Sequence, residues 1–388
     1  NNIKGVFKMI SYNFYNPTKL VFGDNTIKQI GSLIKANGYK KVLLIAGGGS
    51  IKKNGVYDEV IKSFQENEIS WVENWGVKPN PNLDKVYECI DLAKKEDVEA
   101  VVAVGGGSVI DTTKIVAAGV YCEDVWNVFE RTERITKALP IFTVLTLSAT
   151  ASEMNCSAVI TNEQEQKKWG TGHPLLFPKV SIIDPSVQNS LPWNQTVNGA
   201  LDAMAHILEF YFMGTYEETV IAVNEALLNS IIKAVGKLKL KEDDTISRAN
   251  LAWAATMALN GTSGAGLKGG DWSCHDMEHS ISSLYPAVAH GAGLGVLFPA
   301  WMEYVVKSNP VQFERFSKNI WQCDELEDAT EKFRKTIKTW QGVTKLRDLG
   351  VKEEDIELLA KMTTARGNIG RLQELNQKDV ENILRSCY

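Results

Sequence analysis

The chain has 388 residues, and at roughly 100 to 200 residues per domain that is long enough for two domains, each with its own core. A hydrophobic fraction of 44% and a charged fraction of 23% are those of an ordinary water-soluble globular protein, which excludes disorder and fibrous repeats. The formal net charge of −5, from 42 basic and 47 acidic residues, argues against a nucleic-acid partner, because phosphate backbones are held by clustered Lys and Arg.

Residues 1–8 precede Met9, which reads as the natural start, and that leader is left outside the fold. The N-terminus shows no charged segment, apolar stretch and small-residue cleavage site of the secretory kind, so a cytoplasmic protein is expected. From Val21 to Asp184 short apolar runs alternate with helical patterns, as a parallel sheet with crossover helices requires. Val42 to Ala46 ends in the turn Gly47 to Ser50, Ala100 to Val104 ends in Gly105 to Ser108, and Ile141 to Leu147 ends in Ser148 to Ser152. Val180 to Ile183 is the last run, stopped by Asp184 and Pro185. These runs are strand-length and far short of the ~20 apolar residues that cross a bilayer, so no membrane span is expected. Beyond Leu191 and Pro192 the β-branched runs give way to long helical patterns over 197–212, 217–240 and 246–260. The predicted architecture is an α/β domain with a parallel, Rossmann-like sheet over residues 9–190, followed by an all-α domain over 191–388. Six scattered cysteines with no Cys-x-x-Cys pair read as free thiols of a reducing compartment.

Both Gly-rich turns suit a dinucleotide. Glycine lets backbone N–H groups approach a pyrophosphate, and the helix that follows adds the positive end of its dipole. Neither turn is a full G-x-G-x-x-G fingerprint, and a bare strand-to-helix turn would use glycine equally well; the pair in one sheet carries the reading. Ser108 with Asp111 also has the spacing of a helix capping box, which competes with a polar contact from Asp111 to cofactor or substrate.

The chain holds five histidines. His275, His279 and His290 fall in one short stretch, and His206 lies four residues after Asp202. Residues four apart share a helix face, so Asp202 and His206 can grip one ion together. A mixed nitrogen and carboxylate metal site is expected in the all-α domain. His275 and His279 are also four apart, so spacing leaves open which of them is the ligand. His173 stands away from these clusters and reads as structural or surface.

These residues together resemble the iron-containing (group III) alcohol dehydrogenase family, in its butanol dehydrogenase branch, from about Tyr12 to near the C-terminus. The motifs are Gly-Gly-Gly-Ser-Ile-Lys-Lys-Asn-Gly at 47–55, Lys78-Pro79-Asn80-Pro81, Gly-Gly-Gly-Ser-Val-Ile-Asp at 105–111, Leu-Ser-Ala-Thr-Ala-Ser-Glu at 147–153, Asp202-x-x-x-His206 and the stretch from His275 to Gly291. The resemblance implies that Asp202, His206, His275 and His290 hold one divalent metal, Fe2+ or Zn2+, and that His279 faces nicotinamide and substrate. It implies that Gly106, Gly107 and Ser108 meet the pyrophosphate, that Asp111, Thr146, Leu147 and Thr150 line the nicotinamide side, and that Lys168 lies near the adenosine ribose. Gly48, Gly49, Ser50 and Asn80 join the cofactor set through their motifs. The small first turn leaves room for a 2'-phosphate, and Lys52, Lys53 and Lys168 could supply charge; this weighting favours NADP, with NAD also open.

The implied activity is a metal-dependent NAD(P)H-dependent alcohol dehydrogenase or aldehyde reductase acting on short to medium linear alcohols and aldehydes such as butanol and butanal. The metal would act as a Lewis acid on the substrate oxygen, and His279 as proton relay, since imidazole titrates near neutrality. Trp272, Phe142 and Trp126 are weighed as pocket walls. Relatives imply a homodimer without membrane association. The competing expectations are a glycerol-type polyol dehydrogenase, a dehydroquinate synthase-like lyase that also combines NAD with a metal, and a non-enzymatic binding protein on the same fold.

Overall fold

The computed structural model describes residues 10–388, so the leader ahead of Met9 lies outside the described residues. Eight strands form where apolar runs or alternating patterns meet turn residues: β1 (Lys19–Phe22), β2 (Lys41–Ala46), β3 (Ser70–Asn74), β4 (Ala100–Gly105), β5 (Ile141–Leu145), β6 (Ser157–Asn162), β7 (Lys167–Gly172) and β8 (Val180–Ile183). Six of them make one sheet in the order β1-β8-β5-β4-β2-β3, with every pair parallel, while β6 and β7 form an antiparallel hairpin. The ladder of β5 ends at Leu145, two residues before the end of the apolar run, which frees Thr146 and Leu147 to turn toward the strand ends.

The crossovers are α1 (Ile30–Ala36), α2 (Ser50–Lys53), α3 (Val56–Glu66), α4 (Leu83–Lys95), α5 (Gly107–Gly119) and α6 (Trp126–Glu130). They cover both faces of the sheet, which is why the inner strands β2, β4, β5 and β8 are nearly continuous apolar runs rather than alternating, while the edge strands β1 and β3 are partly exposed. Val42 and Leu44 pack with Ile30, Ile34, Val60 and Phe64, whereas Leu43 and Ile45 face Val86, Ile90, Ile115 and Val116. From β2 the chain moves outward to β3, then returns to place β4 on the other side of β2. Strand order reverses between β2 and β4, and at such a switch point a crevice opens beyond the carboxyl ends of the strands. The two Gly-rich turns are the loops that leave β2 and β4.

The rest of the chain is helical: α7 (Trp193–Tyr211), α8 (Glu218–Leu240), α9 (Thr245–Ala258), α10 (Ser273–Leu284), α11 (His290–Val305), α12 (Pro310–Trp321), α13 (Leu326–Thr339), α14 (Ile356–Thr363) and α15 (Gln377–Ser386). α7 begins four residues earlier than the periodicity suggests, directly after Pro192, whose extended conformation (φ −53°, ψ 141°) ends the preceding turn. It runs through the core, with Ala200, Leu201, Met204, Ile207 and Leu208 all buried among α8 to α15. α8 is long and apolar enough, by length and composition, to cross a bilayer. Its apolar side, including Leu228, Ile231, Val235 and Leu238, is nevertheless buried in this helical core, and Lys233 and Lys237 lie on the exposed side.

Candidate active site

α7 presents Asp202 and His206 one turn apart on its buried face, with His206 Nδ1 3.4 Å from Asp202 Oδ1. α10 supplies His275, whose ring centroid lies 4.8 Å from that of His206. His290, the first residue of α11, brings Nε2 to 3.8 Å from Asp202 Oδ1. Asp202 Oδ1, His206 Nδ1 and His275 Nε2 are buried without a hydrogen-bond partner. Ligand atoms of these three residues lie within 4.8 Å of one another. Each such orphan costs about 1–3 kcal/mol unless something meets it, and three buried residues with ligand atoms gathered this closely are what a divalent cation needs. Burial pushes His206 down to about 3, with Asp202 opposing, so its imidazole is neutral and one ring-nitrogen lone pair is available.

A second group, Glu278, His279 and His290, adjoins the first. Here the carboxylate is already engaged: Glu278 meets His290 Nδ1, and Lys168 Nζ lies 3.2 Å from Glu278 Oε2. Although burial works against its charge, His290 and Lys168 hold Glu278 well below the usual carboxylate range. His290 thus spans both groups, one nitrogen on Glu278 and the other toward Asp202. His279 lies beside it, ring centroids 5.4 Å apart. Burial first, then Lys168 and His290, push His279 well below the ordinary imidazole value. The expectation that it titrates near neutrality therefore does not hold in this setting: the buried ring resists a charge, and the Lys168 ammonium beside it adds to that resistance.

Lys168, on β7, is not free. Its ammonium also donates to Asn80 Oδ1 (2.9 Å) and Ser282 Oγ (2.8 Å), tying the β6–β7 hairpin to α10. Asn80 in turn donates to the carbonyls of Pro286 and Val288 in the loop before α11, each at 3.3 Å. In the first turn, Gly49 takes the left-handed conformation (φ +103°), and a side chain on Gly48 or Gly49 would meet nothing within 4 Å, so this turn faces open space. Ser50 begins α2. Lys52 lies over the Trp75 ring at 4.1 Å, and Lys53 is exposed.

The second turn packs against the 146–152 segment. A Cβ on Gly106 would sit 3.2 Å from Leu147 Cβ, and one on Gly107 would overlap the Thr150 side chain. The capping box expected of Ser108 and Asp111 does not form. α5 already starts at Gly107, with Gly106 as its cap residue, so Ser108 lies inside the first turn. Asp111 instead accepts from Ser152 Oγ (2.6 Å) and Val159 N (2.9 Å). Behind it Lys114, fully buried, donates to Ser152 Oγ, Asn155 Oδ1 and the Ser157 carbonyl at 2.8, 3.0 and 2.8 Å.

Lys114→Met would strand these acceptors and the Asp111 charge, and is expected to lower the unfolding free energy by about 3 kcal/mol in denaturant titrations. Burial pushes Lys114 down from 10.5 to about 8, with Asp111 opposing. The unfolded chain therefore binds more protons between those values, and the Lys114 contribution to stability rises with pH across that window. The gap between wild type and variant should widen from pH 8 upward; a gap independent of pH would contradict this placement.

Of the aromatic residues weighed as pocket walls, Trp272 stands beside the cluster, 5.2 Å from the His275 ring and 5.5 Å from Phe210. Phe142 is a correction: it is fully buried inside the sheet core, edge-on to Tyr39, where a strand position rather than a site decides its use. Trp126 stacks on Trp169 at 5.5 Å, and Trp169 also carries the Arg366 guanidinium at 3.2 Å. His173 accepts from Leu175 N, a local turn contact. Sequence reasoning missed Glu209, Glu278 and Lys114. A signal existed for Glu209, which follows His206 by three residues on the same helix face.

Two family models match the chain: iron-containing alcohol dehydrogenase over residues 17–185, and the C-terminal part of the Fe-containing alcohol dehydrogenase family over residues 196–388. The chain is 41% identical to NADH-dependent butanol dehydrogenase A of Clostridium acetobutylicum, covering 98% of this chain and 100% of that protein. It is 31% identical to the NADPH-dependent aldehyde reductase of Escherichia coli, covering 92% and 94%. The crystal structure of NADH-dependent butanol dehydrogenase A from Thermotoga maritima matches with a TM-score of 0.96 at 49% identity, covering 98% of this chain and 99% of that one.

Proposed function

Because the chain belongs to the iron-containing alcohol dehydrogenase family, we propose that its Gly-rich crevice and its Asp-His cluster form one active site for hydride exchange between nicotinamide and a short or medium linear primary alcohol or aldehyde. The protein is an oxidoreductase, an NAD(P)H-dependent alcohol dehydrogenase and aldehyde reductase that uses a divalent metal, iron or zinc. The observation that carries the site is the gathering of Asp202, His206 and His275, whose ligand atoms lie within 4.8 Å of one another and each of which has a buried atom without a hydrogen-bond partner. In this reading residues 9–190 bind the dinucleotide and residues 191–388 hold the metal. The cores support that division: one lies wholly beyond residue 190, and the two on the sheet faces are built from residues before it, with Ala252 of α9 added to one of them.

Asp202, His206, His275 and His290 would hold the cation. Gly48, Gly49, Ser50, Gly106, Gly107 and Ser108 would face the pyrophosphate, and Asp111, Thr146, Leu147 and Thr150 the nicotinamide side. Bound there, the cation supplies Lewis acidity at the substrate oxygen and the nicotinamide gives or takes the hydride. The neutral His279 offers one N–H and one lone pair, so it can hold a proton by hydrogen bond at the substrate oxygen and pass it on. Trp272 and Phe210 shield the His275 side from water. Asn80 and Lys168 tie the two halves of the crevice together beside the metal ligands.

Small first-turn residues leave room for the 2'-phosphate of NADP, which favours NADP, with NAD also open. Of the three lysines weighed for that phosphate, Lys168 is paired with Glu278 and Lys52 lies over Trp75. The butanol dehydrogenases above are named NADH-dependent, and the E. coli reductase NADPH-dependent. A homodimer is part of the proposal: β1 is a sheet edge, and Phe22, Trp253, Tyr12, Phe14 and Tyr15 are exposed nearby. So are a cytoplasmic location and the absence of nucleic-acid and membrane partners, in keeping with six unpaired cysteines and a net charge of −5.

The test is oxidation of NADPH and of NADH by butanal, followed by nicotinamide absorbance, on protein reconstituted anaerobically with Fe(II) or Zn(II) and on a chelated control. Metal-dependent turnover with both nucleotides is expected, and the two rates give the preference. Folded protein without turnover on butanal, but active on glycerol, would transfer the assignment to the polyol reading.

A further inference from the structure

We propose that Glu209 and Glu278, neither of them a metal ligand in the reading above, are positioning residues that fix the ring orientation and tautomer of His275 and His290, so that both present Nε2 to the cation. The proposal rests on the metal-site reading and goes beyond it by assigning two buried carboxylates that the ligand set does not use.

Glu209 is 1% exposed and lies on α7 at the seventh position after Asp202 and the third after His206, so one stripe of this helix carries all three. Its Oε1 lies 2.6 Å from His275 Nδ1, and its Oε2 accepts from Trp272 N at 2.5 Å, so both oxygens are pinned. The Glu209 carbonyl also accepts from Asp271 N at 3.0 Å, which fixes the entry of α10 against α7. The other ring nitrogen of His275 is the buried orphan that faces the cluster.

Glu278 repeats the arrangement one helix further on. It is fully buried on α10 and meets His290 Nδ1, leaving Nε2 on the side of Asp202, 3.8 Å from Oδ1. Lys168 holds the same Glu278 oxygen from the β6–β7 hairpin at 3.2 Å. α11 gives way to the Glu278 side chain at Gly293, where a Cβ would lie 2.8 Å from Glu278 Cγ.

An ionised carboxylate can only accept, so a histidine bound to it through Nδ1 carries its proton there and keeps a lone pair on Nε2. The carboxylate of α7 thus prepares the histidine of α10, and the carboxylate of α10 prepares the histidine of α11. Outer partners of this kind raise ligand basicity and orient the ring, and their loss costs about 10- to 100-fold in metal affinity.

The test is Zn(II) affinity of the metal-free protein, measured by competition with a chromophoric chelator, together with the Co(II) absorption spectrum and the thermal midpoint of the metal-free form. Wild type is compared with Glu209→Gln, Glu278→Gln, the two Leu variants and Asp202→Ala. Glutamine can still accept from Nδ1–H but lacks the charge, so the Gln variants should bind Zn(II) about 10-fold more weakly, and the Leu variants about 100-fold, with altered Co(II) bands. The Gln variants carry the test if a Leu variant does not fold. Gln variants that bind Zn(II) within about threefold of wild type, with an unchanged Co(II) spectrum, while Asp202→Ala loses binding, would overturn the positioning role and leave the ligand set standing. Wild-type affinity in Asp202→Ala would overturn the ligand set, and the positioning role with it.

Discussion

Asp202→Ala is expected to yield folded protein that binds NADPH or NADH, contains no stoichiometric metal and turns over at least about a thousandfold more slowly than wild type. Metal catalysis of this kind contributes several kcal/mol to the transition state, and each 1.4 kcal/mol is about tenfold in rate. Asp202 Oδ1 is buried without a partner, and the carboxylate lies close to the Asp111 charge. In the metal-free protein its removal should therefore leave the thermal midpoint unchanged or raise it. A purely structural carboxylate would behave in the opposite way. His206→Ala should share the loss of metal and turnover. Metal content by elemental analysis, nucleotide binding by fluorescence and the midpoint of the metal-free form are the three measurements. Wild-type metal content in the variants would refute the assignment of these residues.

The second large effect is expected at a residue with no side chain of its own, next to His290. A Cβ on Gly291 would lie 1.9 Å from the carbonyl oxygen of Asn198 and 2.7 Å from its carbonyl carbon, and neither backbone atom can rotate away. α11 and α7 would have to part, carrying His290 away from Asp202. Gly291→Ala is expected to cost about 3 kcal/mol or more, as overpacking against backbone does at the upper end, and to weaken metal binding. Gly236→Ala on α8 is the matched control: nothing lies within 4 Å of its Cβ, and the residue is exposed. There the change should stabilise by about 0.5–1 kcal/mol, because alanine loses less backbone freedom in a helix interior. Denaturant midpoints of the two variants on either side of wild type are the expected result. A Gly291→Ala variant as stable as wild type would mean that the two helices do not meet this closely.

The family match accounts for the fold and the class of reaction, and the geometry adds how the site is built. Three helices converge there: α7 brings His206, α10 brings His275 and His279, and α11 brings His290. Asn80 bonds the loop before α11, and Lys168 on the β6–β7 hairpin bonds α10. The sheet half and the helical half are held together there through side chains of the first placed on the second.

The sequence by itself determined the elements whose signal is local. β2, β4, β5 and β8 were legible because strands buried on both faces are continuous apolar runs, and their exits because glycine marks a turn that needs its freedom. Asp202 and His206 were legible as a pair because four residues are about one helical turn. Only the tertiary structure decided which partners such residues find. Ser108 and Asp111 have capping-box spacing, yet α5 starts two residues too early for Ser108 to cap it, and Asp111 bonds Ser152 and Val159 instead. Phe142 and Trp272 look equally suited to a pocket, but one is locked inside the sheet and the other beside His275. Lys168 reads as a free charge until it is seen against Glu278, 110 residues away. Periodicity reports which face of an element is buried; what that face meets is set by the packing of elements far apart in the chain. Charge and hydrogen-bonding roles depend on that meeting, because desolvation and pairing act over a few ångströms of space and are indifferent to sequence distance.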